Sequence, residues 1–347
     1  MKKNVAVIGY GGMGGWHTEH LLKSDVANLA GIYDIKEERR ALAESRGIKA
    51  YPTREALLAD PSIDIVTVAI PNDVHEEVEI AALEAGKHVI SEKPVTLSLE
   101  SLDRLFAAAK KADRLFTVHQ NRRWDVDYLA MKQLHDSGEI GDIINIESRI
   151  HGSRGIPSDW RGKKQYGGGM LYDWGVHLID QILMILGTDI DSVRCTFDHI
   201  TNKEVDDGFK LYIDYKSGQS AYIEVGTYNF IAMPRFYMRA EHGSALITDW
   251  REKCHVAKCK AWHESDVVPV QTAAGLTKTM APRDSITLDE YDLERPKSDV
   301  HDYYRNFVRA IDGLEEQIVT HEQMRAVLTV IMKAFESADR RGARISW

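Results

Sequence analysis

A chain of 347 residues exceeds the usual size of one hydrophobic core, so two domains are expected. Hydrophobic residues at 44% and charged residues at 28% are globular proportions, and no apolar run reaches membrane-spanning length. The net charge of -9 disfavours nonspecific nucleic-acid binding, and three cysteines, Cys195, Cys254 and Cys259, suit a reducing compartment. Only a few apolar residues separate Met1-Lys-Lys from Gly9, too short a run for a secretion signal, which makes the cytoplasm the expected location.

The first element is a short apolar strand, Val5 to Ile8, that runs into the glycine elbow Gly9-Tyr-Gly11-Gly12-Met13-Gly14 and a helix expected to begin near Gly15. Gly9 permits the tight turn, Gly11 carries no Cβ to obstruct a pyrophosphate, and Gly14 lets the helix lie close to the strand. A second strand, Leu29 to Tyr33, ends in Asp34. That carboxylate can accept both ribose hydroxyls of NAD and would repel the 2′-phosphate of NADP, so NAD is favoured. Lys36, Arg39 and Arg40 just beyond soften the exclusion.

Strands Ile65 to Ala69, His88 to Ser91 and Leu115 to Val118 follow, with helices at His75 to Ala85 and Leu99 to Lys111. Apolar strands separated by helices predict a doubly wound parallel sheet, a Rossmann domain over residues 1–123. Ligands collect at the carboxyl ends of such strands. Pro71-Asn72, Glu92-Lys93-Pro94 and Gln120-Asn121-Arg122-Arg123 all fall there.

Past Arg123 the texture changes. A helix at Tyr128 to Ser137 precedes alternating segments at 143–150, 192–198, 209–215, 221–226, 236–241 and 245–249, joined in part by hairpin turns at Gly218 and Gly243. Residues 124–347 are therefore expected to form an α+β domain with a large, mostly antiparallel open sheet, whose free face suits a homo-oligomer, a dimer or tetramer. Residues 262–298 read as irregular; helical spacing returns from Val300 to Ile311, and Thr320 with Gln323 forms a capping box for a last helix to Arg341.

Lys93 sits at the tip of a strand beside the expected nicotinamide position, where an ammonium can hold a substrate hydroxyl and favour the alkoxide that develops as hydride leaves. In Gly167-Gly-Gly-Met-Leu-Tyr-Asp173-Trp-Gly-Val-His177-Leu-Ile-Asp180, helical spacing places Asp173 and His177 on one face, with Asp180 three residues further. A carboxylate next to an imidazole raises its pKa and orients it, which makes His177 a general base for an alcohol.

Together Gly9-Tyr-Gly-Gly-Met-Gly14, Pro71-Asn72-Asp-Val-His75, Glu92-Lys93-Pro94, Asn121-Arg-Arg-Trp124 and Gly169-Met-Leu-Tyr-Asp173-Trp-Gly-Val-His177-Leu-Ile-Asp180 resemble the glucose-fructose oxidoreductase / inositol dehydrogenase (Gfo/Idh/MocA) family over the whole chain. The resemblance implies an NAD(P)-dependent dehydrogenase acting on a secondary hydroxyl of a sugar, glycoside or cyclitol. It makes Lys93, Asp173 and His177 the catalytic trio, with His177 taking the hydroxyl proton. Pro71, Asn72, His75 and Glu92 match the stretches near the nicotinamide, and Arg123, Trp124, Trp160 and Arg161 match substrate and cofactor contacts. Asp73 and His119-Gln120 depart from the commonest family wording.

Two alternatives share these residues: a redox-neutral NAD-dependent glycosidase, and a noncatalytic NAD-sensing regulator on the same fold. Retention of the full trio weighs against the regulator. Cys254, His255, Cys259 and His263 have a loose spacing for zinc, so no metal is expected. His17 and His20 on the first helix read as packing or capping residues.

Overall fold

The computed structural model describes residues 2–260, 268–283 and 285–347. Its first lobe alternates strand and helix: β1 (Lys3–Ile8), α1 (Gly12–Leu21), β2 (Ala27–Tyr33), α2 (Glu37–Ser45), α3 (Arg54–Leu58), β3 (Ile65–Val68), α4 (His75–Glu84), β4 (His88–Ser91), α5 (Leu99–Ala112) and β5 (Phe116–Val118). The five strands pair in parallel in the order β2-β1-β3-β4-β5. Strands β3 and β5 are buried at every residue because helices cover both faces of the sheet. The first helix starts at Gly12 rather than near Gly15. The sequence hides this start because glycines carry no cap or apolar signal.

The second lobe contains α6 (Val126–Ser137), β6 (Ile143–His151), α7 (Val176–Leu186), β7 (Ile190–Asp198), β8 (Gly208–Tyr215), β9 (Ser220–Gly226), β10 (Phe236–Ala240), β11 (Gly243–Ile247) and β12 (His255–Cys259). Then come β13 (Val270–Thr272), β14 (Gly275–Thr277), β15 (Leu288–Asp292), α8 (His301–Ile311), α9 (His321–Asp339) and β16 (Ile345–Ser346). Three of these strands lie in the stretch expected to be irregular: β13 and β14 form a small ribbon, and β15 adds an edge to the large sheet. Their exposed side chains give no alternating apolar signal.

The large sheet has nine strands in the order β15-β12-β11-β10-β6-β9-β8-β7-β16. Its pairs are antiparallel except β6 with β9. Phe209, Leu211, Ile213 and Tyr215 of β8 point into a core shared with α7 and α9, while Tyr212 faces outward. The capping box at Thr320 and Gln323 starts α9. Preceding it, α8 lays Tyr303, Tyr304, Phe307 and Val308 into the core of the parallel sheet, so the chain returns to the first lobe before it ends. Among the described residues, no helix is long and apolar enough to cross a membrane.

Candidate active site

The glycine elbow is built for close approach. A Cβ on Gly14 would lie 1.8 Å from the carbonyl oxygen of Gly9, so the start of α1 can press against the β1 turn only with glycine there. Gly11 and Gly12 face the other way, and a Cβ on either would meet nothing within 4 Å. That open ground, together with the free amides at the start of α1, fits a pyrophosphate. Just past β2, Asp34 accepts the Tyr10 N–H at 2.6 Å and the Lys36 N–H at 2.9 Å. Each carboxylate oxygen keeps a lone pair for a ribose hydroxyl. The residues present thus fit a nicotinamide dinucleotide.

At the tip of β4, Glu92 is buried and bound from both sides: His17 Nε2 and His119 Nδ1 each lie 2.8 Å from its Oε1, and Oε2 accepts the Lys93 N–H at 3.1 Å. His17 Nδ1 continues to the Tyr304 hydroxyl of α8 at 2.7 Å. Burial pushes the Glu92 carboxyl up, but His119 and His17 outweigh it and hold it well below the usual range. These three side chains are the one metal-capable grouping among the described residues, and the 2.8 Å separations are those of hydrogen bonds. The sequence reading of His17 as a packing or capping residue misses this clamp; its position three residues after Gly14 on the same helical face is the available signal.

Lys93, joined to Pro94 by a cis peptide bond, reaches across to the second lobe. Its Nζ donates to Asp173 Oδ1 and to the Asp173 carbonyl, both at 2.8 Å. The trio enters through a tight strap: Gly169, at φ +110°, packs where a Cβ would lie 2.1 Å from Asp206 Oδ1, and Asp206 Oδ2 accepts the Leu171 N–H at 2.8 Å. Residues Leu171–Gly175 then form a π-helical turn, closed by the Val176 N–H on the Leu171 carbonyl, before α7 begins.

This turn corrects the expected geometry. Asp173 bonds no imidazole; its carboxylate goes to Lys93 and, at 3.4 Å, to Arg161 Nε. Burial pulls the carboxyl up, yet Lys93 and Arg161 prevail and hold it below its ordinary value. His177 is 4% exposed, its Nδ1 has no partner, and Trp174 stands beside it with ring centroids 6.2 Å apart. Its pKa goes down rather than up. Burial, then the Lys93 and Arg122 cations, hold it well below the ordinary imidazole range. A neutral imidazole that stays unprotonated near neutral pH can accept a proton.

Other expected site residues divide. Arg161 reaches the trio, and its guanidinium stacks on Trp160 at 4.6 Å. Asn72 ties the lobes by donating to the Gly167 carbonyl at 3.0 Å, beside Pro71. His75 is turned inward, with Nε2 2.9 Å from the Ile70 carbonyl. Arg123 is not free for substrate: it forks onto Asp180 at 2.8 and 2.6 Å and also donates to the Ile318 carbonyl and Gln323. A buried guanidinium needs that carboxylate, which also accounts for Asp180. Trp124 packs edge-on against Tyr303 in the first lobe's core. Instead it is the neighbouring Arg122 that faces the trio's side, lying 4.1 Å over the Trp174 ring.

Among the suggested zinc ligands, Cys254 is buried with its Sγ 3.9 Å from Met131 Sδ, and His255 pairs with Asp292 at 3.0 Å. His263 lies outside the described residues. His20 stacks on Trp16, with ring centroids 3.7 Å apart.

Next to Asp173 opens a cavity of about 440 Å³ whose walls all come from the second lobe, among them His151, Arg154, Trp174, Thr227 and Trp250. A glycine elbow on a parallel sheet, with a lysine, carboxylate and imidazole gathered from two lobes, places the chain in the NAD-binding Rossmann class. Residues 3–120 match the oxidoreductase family with NAD-binding Rossmann fold, and residues 128–246 match the GFO/IDH/MocA C-terminal domain. The chain belongs to the Gfo/Idh/MocA family.

It is 41% identical to an NAD-binding protein from Listeria innocua of solved structure, with a TM-score of 0.96 and coverage of 100% of this chain and 99% of that one. The scyllo-inositol 2-dehydrogenase (NADP(+)) IolW of Bacillus subtilis is 29% identical over 343 residues, 97% of this chain and 94% of the relative. An uncharacterized oxidoreductase of Schizosaccharomyces pombe is 37% identical over 195 residues, 53% of each chain. The chain spans about half the length of that relative and of two further oxidoreductases.

Proposed function

We propose that the protein oxidises a secondary hydroxyl of a sugar, glycoside or cyclitol, with NAD as the hydride acceptor and His177 as the base. The observation that carries this reading is the contact of Lys93 Nζ with Asp173 at 2.8 Å beside a buried imidazole whose Nδ1 is unpartnered. Two of the three Lys93 donors go to Asp173, and the third can hold the reacting oxygen. His177 takes the hydroxyl proton as the C–H bond breaks, leaving a ketone. When bound, the nicotinamide supplies the acceptor for the departing hydride. Asp173 fixes the ammonium, Arg161 braces Asp173, and Gly9, Gly11, Gly12, Met13, Gly14 and Asp34 are assigned to the dinucleotide.

NAD is preferred to NADP because Asp34 stands where a 2′-phosphate would be repelled. The related scyllo-inositol 2-dehydrogenase IolW of Bacillus subtilis is named for NADP(+), so the preference of this chain is to be measured directly. Residues 1–123 are taken as the cofactor domain and 124–347 as the substrate and assembly domain, in a cytoplasmic homo-oligomer. The test is a panel of inositols, aldoses and glycosides with NAD and NADP, followed by absorbance of the reduced cofactor. Turnover of at least one secondary alcohol with NAD ahead of NADP is expected; no reduction with any member would overturn the reading.

A further inference from the structure

The cavity beside Asp173 has more apolar wall than a free polyol can use. A cyclitol carries a hydroxyl on every ring carbon, and each one set against an apolar wall gives up water without a replacement partner. Here polar groups, His151, Ser153, Arg154, Asp173 and Thr227, share the wall with a larger apolar part. Ile150, Pro157, Met170 and Val225 line it with two indoles, Trp174 and Trp250, whose ring centroids lie 6.1 Å apart at 34°. Arg122 occupies one side of the Trp174 ring, and Trp250 remains 43% exposed. At about 440 Å³ the space falls in the range that encloses ligands well beyond one six-membered ring. No wall residue belongs to the nucleotide-binding sheet.

The apolar character continues outward. Gly226 and Thr227 close the wall, and the residues that follow turn Tyr228, Phe230, Ile231 and Met233 to solvent, with the Tyr228 and Phe230 rings 4.9 Å apart. Of the trio, Asp173 lines the cavity, and it holds Lys93 at 2.8 Å.

We propose that the substrate is a glycoside with an apolar, preferably aromatic, aglycone: the sugar ring presents its secondary hydroxyl to Lys93 and His177, and the aglycone lies against Trp250 and Trp174. This rests on the oxidation reading above and narrows its substrate class. The hydroxyl proton goes to His177, the hydride to NAD, and the glycosidic bond stays intact. An aryl group is matched to an indole wall because both bury flat apolar area and stack with offset rings. A free hexose or inositol leaves that wall wet.

The test compares phenyl glucoside, methyl glucoside, free glucose and myo-inositol in the wild-type protein and in Trp250→Ala, with reduced-cofactor absorbance as one readout. Binding of phenyl glucoside to the NADH-loaded protein, measured by calorimetry, is the second. The expected result is a kcat/KM for phenyl glucoside on the order of tenfold or more above methyl glucoside and the free polyols. In Trp250→Ala that ratio falls several-fold, and phenyl glucoside binding weakens in parallel. Equal kcat/KM for all four compounds, or a ratio and a binding constant that ignore Trp250→Ala, overturns the proposal. Phenol released without net reduced cofactor upholds the substrate class and defeats the oxidation reading. Where no compound is turned over, that reading fails, and calorimetry alone decides the pocket: Trp250-dependent binding of phenyl glucoside supports it, and no binding overturns it.

Discussion

Lys93 and His177 influence each other through charge. The ammonium beside the imidazole is, after burial, the largest cause of the low His177 pKa, so its removal favours imidazolium. In Lys93→Met the His177 midpoint, followed by NMR titration of the imidazole, is expected to move upward; an unchanged or lower midpoint would contradict the assigned contact. His119 acts one step further out. Its Nδ1 helps fix Glu92, and Glu92 fixes the Lys93 backbone. His119→Phe removes that donor and is expected to lower kcat about tenfold or more with a smaller change in KM, while His119→Asn, which keeps an N–H, recovers part of the loss. Equal kcat in the two variants, with matched Tm, would show that the hydrogen bond does not matter for turnover.

At the scale of elements, α4 carries Glu79, a carboxyl with no exposed surface that burial pushes up to about 8. Because the folded pKa exceeds the unfolded one, near 4.5, the folded state holds the proton more tightly. The stability tied to this group is full below about pH 4.5 and is lost as pH rises through about 8. Glu79→Gln should flatten that slope, so the Tm difference between variant and wild type widens in the variant's favour from pH 5 to 9; parallel Tm curves would refute it.

The sequence was most informative where physics is local. Parallel strands such as His88–Ser91 and the Thr320 capping box announce themselves through apolar runs and a cap spacing. The π-helical turn at Leu171–Gly175 does not, because residue spacing alone cannot tell a five-residue turn from an α-helical one. Lys93, Asp173 and His177 could therefore be named from sequence, but not the pairing among them: the carboxylate chose two cations from outside its own helix.

Over the whole molecule, the contacts that join the lobes around the site include Lys93 to Asp173, Asn72 to the Gly167 carbonyl, Gln181 to the Arg122 carbonyl, and Arg123 to Asp180. The last is buried on both sides, with 5% and 3% side-chain exposure. Arg123→Met would strand the Asp180 charge and is expected to cost roughly 3–5 kcal/mol in urea unfolding, whereas loss within error would show that the pair is dispensable. The return of α8 to the first lobe strengthens the same connection. Its Tyr303, Tyr304 and Phe307 pattern marks a buried helical face but cannot say which surface receives it, since either core would accept those rings. In the proposed reaction an amine from one lobe and an imidazole from the other act together on a secondary alcohol. The most direct measurement is the rate of nicotinamide reduction by the best alcohol substrate in wild type, Lys93→Met and His177→Ala, each checked for cofactor binding by NADH fluorescence. Both variants are expected to bind NADH yet lose about 100-fold or more in kcat; variants that turn over at the wild-type rate would contradict the proposed roles.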